Sequence, residues 1–268
     1  MPAVDQRRDT THLGLGECQS RQLLGRPLLR GSAARVLAMR TGLRGEVLVV
    51  ELDAPYRCLS SAVFGGGLCD VRTWVNAQVP PGYARTDPET HLAEIARRLR
   101  VPPPVVGMLT AALVADYAEA ACGSARAIAT VGLRDPLAAA SVKVTHAGPP
   151  GVGTINVFVL VEVPLTDAAL VGAASTAIEA KAQALATAGV KAGGGSMGPM
   201  AATGTATDSL CVACPGGPSG SRVRFAGPAT RVGADLARAV HDAVVVGAER
   251  YAAWCRRNEM RGDRFRIR

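Results

Sequence analysis

The sequence predicts an α/β (α+β) protein, a single layered sandwich in which helices flank a mixed β-sheet. Three observations predict it. From Thr154 to Val163 apolar residues alternate, placing Ile155, Val157, Val159, Val161 and Val163 on one wholly apolar strand face. After Pro164 the spacing turns helical over about 166–188, with Thr166 or Asp167 positioned to cap the new element. A second long helical stripe closes the chain, on Val232, Leu236, Val240, Ala243, Gly247, Tyr251 and Trp254, with His241 beside it.

In chain order, residues 1–40 are expected to form a weakly ordered arm, 41–256 the one domain, and 257–268 a basic tail. After Gly45, EVLVVEL predicts a strand. A turn at Asp53–Pro55 then leads into a second, RCLSSAVF, as a hairpin-like pair ending in Gly65, Gly66 and Gly67. Trp74–Val79 predicts a short strand with Asn76 inside it. Asp87 as cap and Pro88 in the first turn open a helix. It buries Leu92, Ile95, Ala96 and Leu99 and leaves His91 off the stripe, in solvent. Pro102–Pro104 end that helix, and residues 107–113 return to the core with Thr110 as their one hydroxyl. Strands follow at 124–132 and at SLCVAC (209–214), with a surface loop after the latter.

Composition narrows the function classes. The chain carries a net charge of +8, but its arginines gather at the two ends and aromatic residues are only 4% of the chain. Stacking platforms for bases are therefore lacking, and no nucleic-acid partner is expected. No apolar run reaches the length of a membrane span, and the first residues lack the apolar core of a secretory signal. A soluble, cytoplasmic protein without a membrane partner is expected. Seven irregularly spaced cysteines fit a reducing compartment better than a disulfide framework. The lone CxxC at Cys211–Cys214 has no second pair and is expected to be structural. The loop GPPGVGTI lacks the phosphate-binding lysine of a P-loop and precedes a strand rather than a helix, and His146 before it stands alone. No cofactor is identified, and the sequence leaves a divalent-metal requirement and the oligomeric state open.

The chemistry concentrates between Gly153 and Asp208. Leu170, Ala174, Ala177, Ile178 and Leu185 form a helical stripe with Lys181 in its middle. A core-facing ammonium must be paired, reach a polar cavity or snorkel past the core edge. Glu179, two residues away, points in a different direction and is no helix partner for it. The glycine-rich KAGGGSMGPM follows, then TGTATD. If the latter is extended, Thr203, Thr205 and Thr207 share a face with Asp208 on the other. No GxSxG elbow, Cys–His signature or HExxH motif is present.

Taken together, GTIN (153–156), EAK (179–181) and TGTATD (203–208), in this order and spacing, resemble the adenosylcobinamide amidohydrolase family. LSSAVFGGG (59–67), WVNAQV (74–79), GMLTAA (107–112), ATVGL (129–133) and FAGPATRVGADLARAV (225–240) extend the resemblance over roughly 45–245. Three positions depart from the family pattern: Ala206 within TGTATD, Ile178 before EAK, and Ala229, where the family tends to carry a histidine. The resemblance implies a small corrinoid substrate and hydrolysis of the amide between a corrin propionate and aminopropanol, giving adenosylcobyric acid and 1-amino-2-propanol in cobalamin salvage. A non-catalytic corrinoid carrier or sensor on the same scaffold is the alternative. For the reaction, Asp208 or Glu179 is expected as base toward water or a threonine, Thr205 being the threonine chosen. Lys181 and Asn156 are expected to hold the oxyanion or the amide, with Lys181 a candidate acid. Thr154, Ser60, Ser61, Asn76, Thr110, Thr203 and Thr207 complete the substrate-facing candidates.

Overall fold

The computed structural model describes residues 19–20, 32–39, 45–141, 153–192 and 200–260. Nine strands lie within them: β1 (Gln19–Ser20), β2 (Ser32–Met39), β3 (Gly45–Ser60), β4 (Gly67–Gln78), β5 (Val105–Thr110), β6 (Ala118–Cys122), β7 (Ala125–Gly132), β8 (Thr154–Val161) and β9 (Ser209–Cys214). Three α-helices accompany them: α1 (Pro88–Leu99), α2 (Asp167–Thr187) and α3 (Arg231–Met260). All nine strands belong to one open mixed sheet, ordered β1-β6-β7-β8-β9-β3-β4-β5, with β2 paired on β3. The β4–β5 and β8–β9 pairs are parallel and the rest antiparallel.

The sheet folds over on itself, so one sheet supplies two layers. On one face of β7, β8 and β9, Ala127, Ala129, Ile155, Val157, Val159 and Val212 pack under α2 and α3. On the opposite face Ile128, Phe158, Leu160, Cys211 and Ala213 meet Leu48, Val50, Trp74 and Met108 of β3, β4 and β5. Trp74 stacks on Phe158 with ring centroids 5.1 Å apart. The outer side of that second layer, with Val47, Val49, Val75 and Ala77, is covered by Leu92, Ile95 and Ala96 of α1. The expected layered α/β sandwich is present, with helix, sheet, sheet and helix in succession. Every residue of β8 is buried, because both of its faces lie inside.

Several expectations change. Residues 45–60 do not form a hairpin at Asp53–Pro55; they are one strand that bends at a register shift between Glu51 and Tyr56. The shift leaves the ladder open where Pro55 has no N–H to give. β4 is long enough to pair with both halves of β3, while β9 pairs only with the second half. The reversal comes later, at Gly65 and Gly67, whose φ angles are +65° and +96°. The arm expected over 1–40 contains β1 and β2, both hydrogen-bonded into the sheet, and α3 continues to Met260, past the expected domain end. The alanine-rich β6 was not expected as a strand. His91, expected in solvent, is 2% exposed and stacks on Tyr83. Ile178, expected on the buried stripe of α2, is 54% exposed. The small residues Ala169, Ala173, Ala177, Ala180 and Ala184 form the stripe with Leu170 and Leu185, which turns the buried face away from Ile178 and leaves Lys181 at its edge.

Candidate active site

β8 and β9 run parallel with Asn156 opposite Ser209, so the start of β8 and the residues just before β9 come together. They are Gly153–Ile155 on one side and the turn ending in Asp208 on the other. Residues 206–207 form a turn rather than an extended stretch, which corrects the alternation expected of TGTATD. Asp208 closes that turn. Its Oδ2 accepts the Thr205 N–H at 3.1 Å, and its Oδ1 accepts the Ile155 N–H at 3.0 Å. The same carboxylate takes two side-chain donors, the hydroxyl of Thr205 on Oδ1 and the ammonium of Lys181 on Oδ2. Four donors on two oxygens fill its acceptor capacity.

Lys181 reaches this carboxylate from α2, across 27 residues. Its place at the edge of the alanine stripe lets the aliphatic stem lie along the core while the ammonium meets the turn. Both side chains of the pair are 13% exposed, so the charges interact more strongly than on an open surface. Gly204 makes the approach possible: a Cβ there would lie 2.4 Å from Asp208 Oδ2 and 2.8 Å from Lys181 Nζ.

The threonines organise around one carbonyl. Gly153 O accepts from Thr207 Oγ1 at 3.1 Å and lies 2.8 Å from Thr205 Oγ1, whose single proton is directed at Asp208 Oδ1. Thr207 Oγ1 is also 2.7 Å from Thr154 Oγ1. With the Thr207 proton directed at the carbonyl, Thr154 is the donor of that pair. Thr203 points elsewhere, its Oγ1 accepting from Ala139 N at 3.0 Å and tying the turn to residues 137–139.

The other candidates divide into two groups. Asn76 and Asn156 are wholly buried between the two sheet layers. Asn156 Nδ2 donates to Asn76 Oδ1 and to Leu109 O, each at 2.9 Å, while Asn76 Nδ2 donates to Thr130 Oγ1 at 2.8 Å. Asn156 Oδ1 is buried without a partner. Ser60 and Thr110 complete turns: Ser60 Oγ donates to Leu210 O and accepts from Ala62 N, and Thr110 Oγ1 accepts from Ala112 N. Ser61 lies beside the cluster, its Oγ 3.3 Å from that of Ser209, the residue after Asp208. Glu179 is exposed, about 200° round α2 from Lys181, and is not brought to Asp208.

The structure thus joins Lys181, Thr205, Asp208, Thr207 and Thr154. It adds Gly153 and Gly204, a carbonyl and an absent side chain that motif chemistry does not flag, together with Thr130 and the Leu109 carbonyl in the buried network. His146 and the glycine-rich stretches at 148–152 and 193–199 lie outside the described residues. Among the described residues no group of three or more His, Cys, Asp or Glu is placed to hold a metal ion, and no helix is long and apolar enough to cross a membrane. As a chemical device, the cluster offers a hydroxyl bonded to a carboxylate and an ammonium held on that carboxylate's other oxygen.

Comparison with known proteins gives a family match across most of the chain: the adenosylcobinamide amidohydrolase model covers residues 33–256. No curated protein matches. Among solved structures, the PH0078 protein from Pyrococcus horikoshii OT3 is similar at 14% identity and a TM-score of 0.42, over 86% of this chain and 88% of that one.

Proposed function

The chain belongs to the adenosylcobinamide amidohydrolase family, and from that premise we propose that it hydrolyses the aminopropanol amide of adenosylcobinamide to adenosylcobyric acid and 1-amino-2-propanol, a step in salvage of corrinoids. The observation that carries the reading is the convergence of Lys181, Thr205 and Asp208 at the paired starts of β8 and β9.

Amide hydrolysis needs a nucleophile, a base to take its proton, positive charge for the oxyanion and an acid for the leaving amine. Thr205 is the nucleophile, because its hydroxyl already rests on a carboxylate oxygen. As Thr205 Oγ1 attacks the amide carbon, its proton passes to Asp208 Oδ1. Lys181 holds Asp208 in place through one N–H, and its other two face the carbonyl oxygen as it gains charge. Collapse of the tetrahedral intermediate breaks the C–N bond, and the proton held by Asp208 goes to the departing aminopropanol nitrogen. Water then attacks the Thr205 ester, gives its proton to Asp208 and releases the corrin carboxylate. That proton returns to Thr205 Oγ1 as the ester bond breaks. Thr207, Thr154 and the Gly153 carbonyl fix the turn that presents Thr205.

The test is to quench the protein in acid during turnover of adenosylcobinamide and map its peptides by mass. A corrin ester on Thr205, absent from Thr205→Ala and present in Thr205→Ser, is the expected result. Turnover by Thr205→Ala at the native rate would exclude the threonine and assign the attack to water.

A further inference from the structure

Cys58 on β3 and Cys69 on β4 stand directly opposite each other in the antiparallel ladder, and their sulfurs are 3.2 Å apart. Opposed residues in such a ladder have Cα atoms about 4.5–5.5 Å apart, inside the roughly 4.4–6.8 Å that a disulfide spans. Both thiols are free. Neither belongs to the cluster at Asp208. Their surroundings differ: Cys58 is wholly buried, with Cys211 hydrogen-bonded on its other side, whereas Cys69 is half-buried and donates to Gly65 O at 3.1 Å. One sulfur of the pair is therefore open to a small reagent, and the second waits behind it.

We propose that Cys69 and Cys58 are an oxidisable dithiol, with Cys69 the sulfur that a peroxide attacks and Cys58 the resolving thiol. In the first step the Cys69 thiolate attacks one oxygen of hydrogen peroxide, the O–O bond breaks and Cys69 becomes sulfenic acid, while the hydroxide released takes up the proton that Cys69 lost and leaves as water. In the second, deprotonated Cys58 attacks the Cys69 sulfur, the S–O bond breaks, and the hydroxide leaves as water with the proton that Cys58 gave up. Two thiols and one hydrogen peroxide become one disulfide and two waters; the sulfurs are oxidised and the peroxide oxygens reduced. The product bond staples β3 to β4 beneath the turn that carries Ser60 and Ser61, and Ser61 meets Ser209 beside Asp208. Oxidation would stiffen this wall of the cluster.

Accessibility is limited by protonation as well as burial. Desolvation pushes the Cys69 thiol up to about 12, and the hydrogen bond to Cys211 with burial pushes Cys58 higher. The thiolate that reacts is scarce at neutral pH. The rate should climb about tenfold per pH unit between pH 7 and 10, where an exposed cysteine would level off near its ordinary value of about 8.5.

The experiment treats the full chain with hydrogen peroxide, then counts thiols after denaturation and maps peptides without reductant. The expected result is a loss of two of the seven thiols, a peptide joining Cys58 to Cys69, and full recovery with dithiothreitol. With Cys58→Ser, dimedone should label Cys69 as sulfenic acid; Cys58→Ala serves if the serine variant does not fold, and the native chain needs neither. Oxidation that leaves Cys58 and Cys69 as thiols, or a Cys69 adduct in the native chain that Cys58 never resolves, would overturn the proposal. None of these readouts depends on corrinoid turnover.

Discussion

Lys181 Nζ and Asp208 Oδ2 are hydrogen-bonded between a helix and a turn that are 27 residues apart in sequence. The bond joins the edge of the α2 stripe to the start of β9, so it fixes the turn as well as the charge. Removing the ammonium leaves a mostly buried carboxylate with one donor fewer. Lys181→Met should lower kcat by about 10²–10³, as loss of an oxyanion donor does, with a smaller change in KM. It should also destabilise the fold, by no more than about 3 kcal/mol because the pair keeps some contact with water. Steady-state kinetics beside a urea titration separates the two effects; a stability loss with native kcat would make the pair purely structural.

Gly204 offers a second handle on the same bond. Gly204→Ala places a methyl against both Asp208 Oδ2 and Lys181 Nζ. Overpacking of this kind costs about 1–3 kcal/mol, and here it also pushes the ammonium off the carboxylate. The variant should lose most of its kcat while its melting temperature drops by several degrees. A fully active, equally stable variant would mean that the turn can shift without cost.

The buried amides predict a different outcome. Asn156→Ala removes the donors to Asn76 Oδ1, which is wholly buried, and to Leu109 O, which is partly buried. Each acceptor left without its donor costs about 1–3 kcal/mol. Denaturant midpoints should fall sharply, while KM for the corrinoid stays near native in the folded fraction, since neither amide reaches the surface. A raised KM without a stability loss would return Asn156 to direct substrate contact.

His91 predicts acid sensitivity. Burial, then the nearby Arg85 charge, holds its imidazole below the ordinary value of 6.5. Its Nδ1 meets the Tyr83 hydroxyl at 2.9 Å, and its Nε2 is buried without a partner. Below about pH 6.5 the unfolded chain binds a proton that the folded imidazole refuses, so unfolding gains. Stability should fall as pH drops from about 6.5 toward the lower folded value and then level off. Urea midpoints from pH 7.5 to 5 should slope less in His91→Gln than in the native chain. Parallel slopes would remove His91 as the cause.

Much of this architecture was legible in the chain because periodicity and capping are local. Thr166 accepts the N–H of Ala169 as a cap should, and Ile155, Val157, Val159 and Val161 of β8 share the helix-covered face that their alternation announces. Lys181 stood out because a charge inside an apolar helical stripe demands a partner. The resemblance places Lys181 and Asp208 in one site without pairing them, since nothing in spacing brings residue 208 to residue 181. What stayed hidden depends on distant pairing. Asp53–Pro55 looks like a reversal until β4 pairs along both halves of β3. His91 looks solvated until Tyr83 covers it, and Asn76 and Asn156 look accessible until the sheet folds over and buries each against the other. Ile178 misled by its size, because alanines carry the buried face of α2.

The most direct measurement is release of 1-amino-2-propanol from adenosylcobinamide by the native protein and by Lys181→Met, with adenosylcobyric acid followed by mass-resolved chromatography. The account predicts equal amounts of the two products from the native protein and at least a hundredfold slower release from a folded Lys181→Met variant. Retention of intact adenosylcobinamide by the native protein, with neither product formed, would contradict it and make this cluster part of a corrinoid-binding site without hydrolysis.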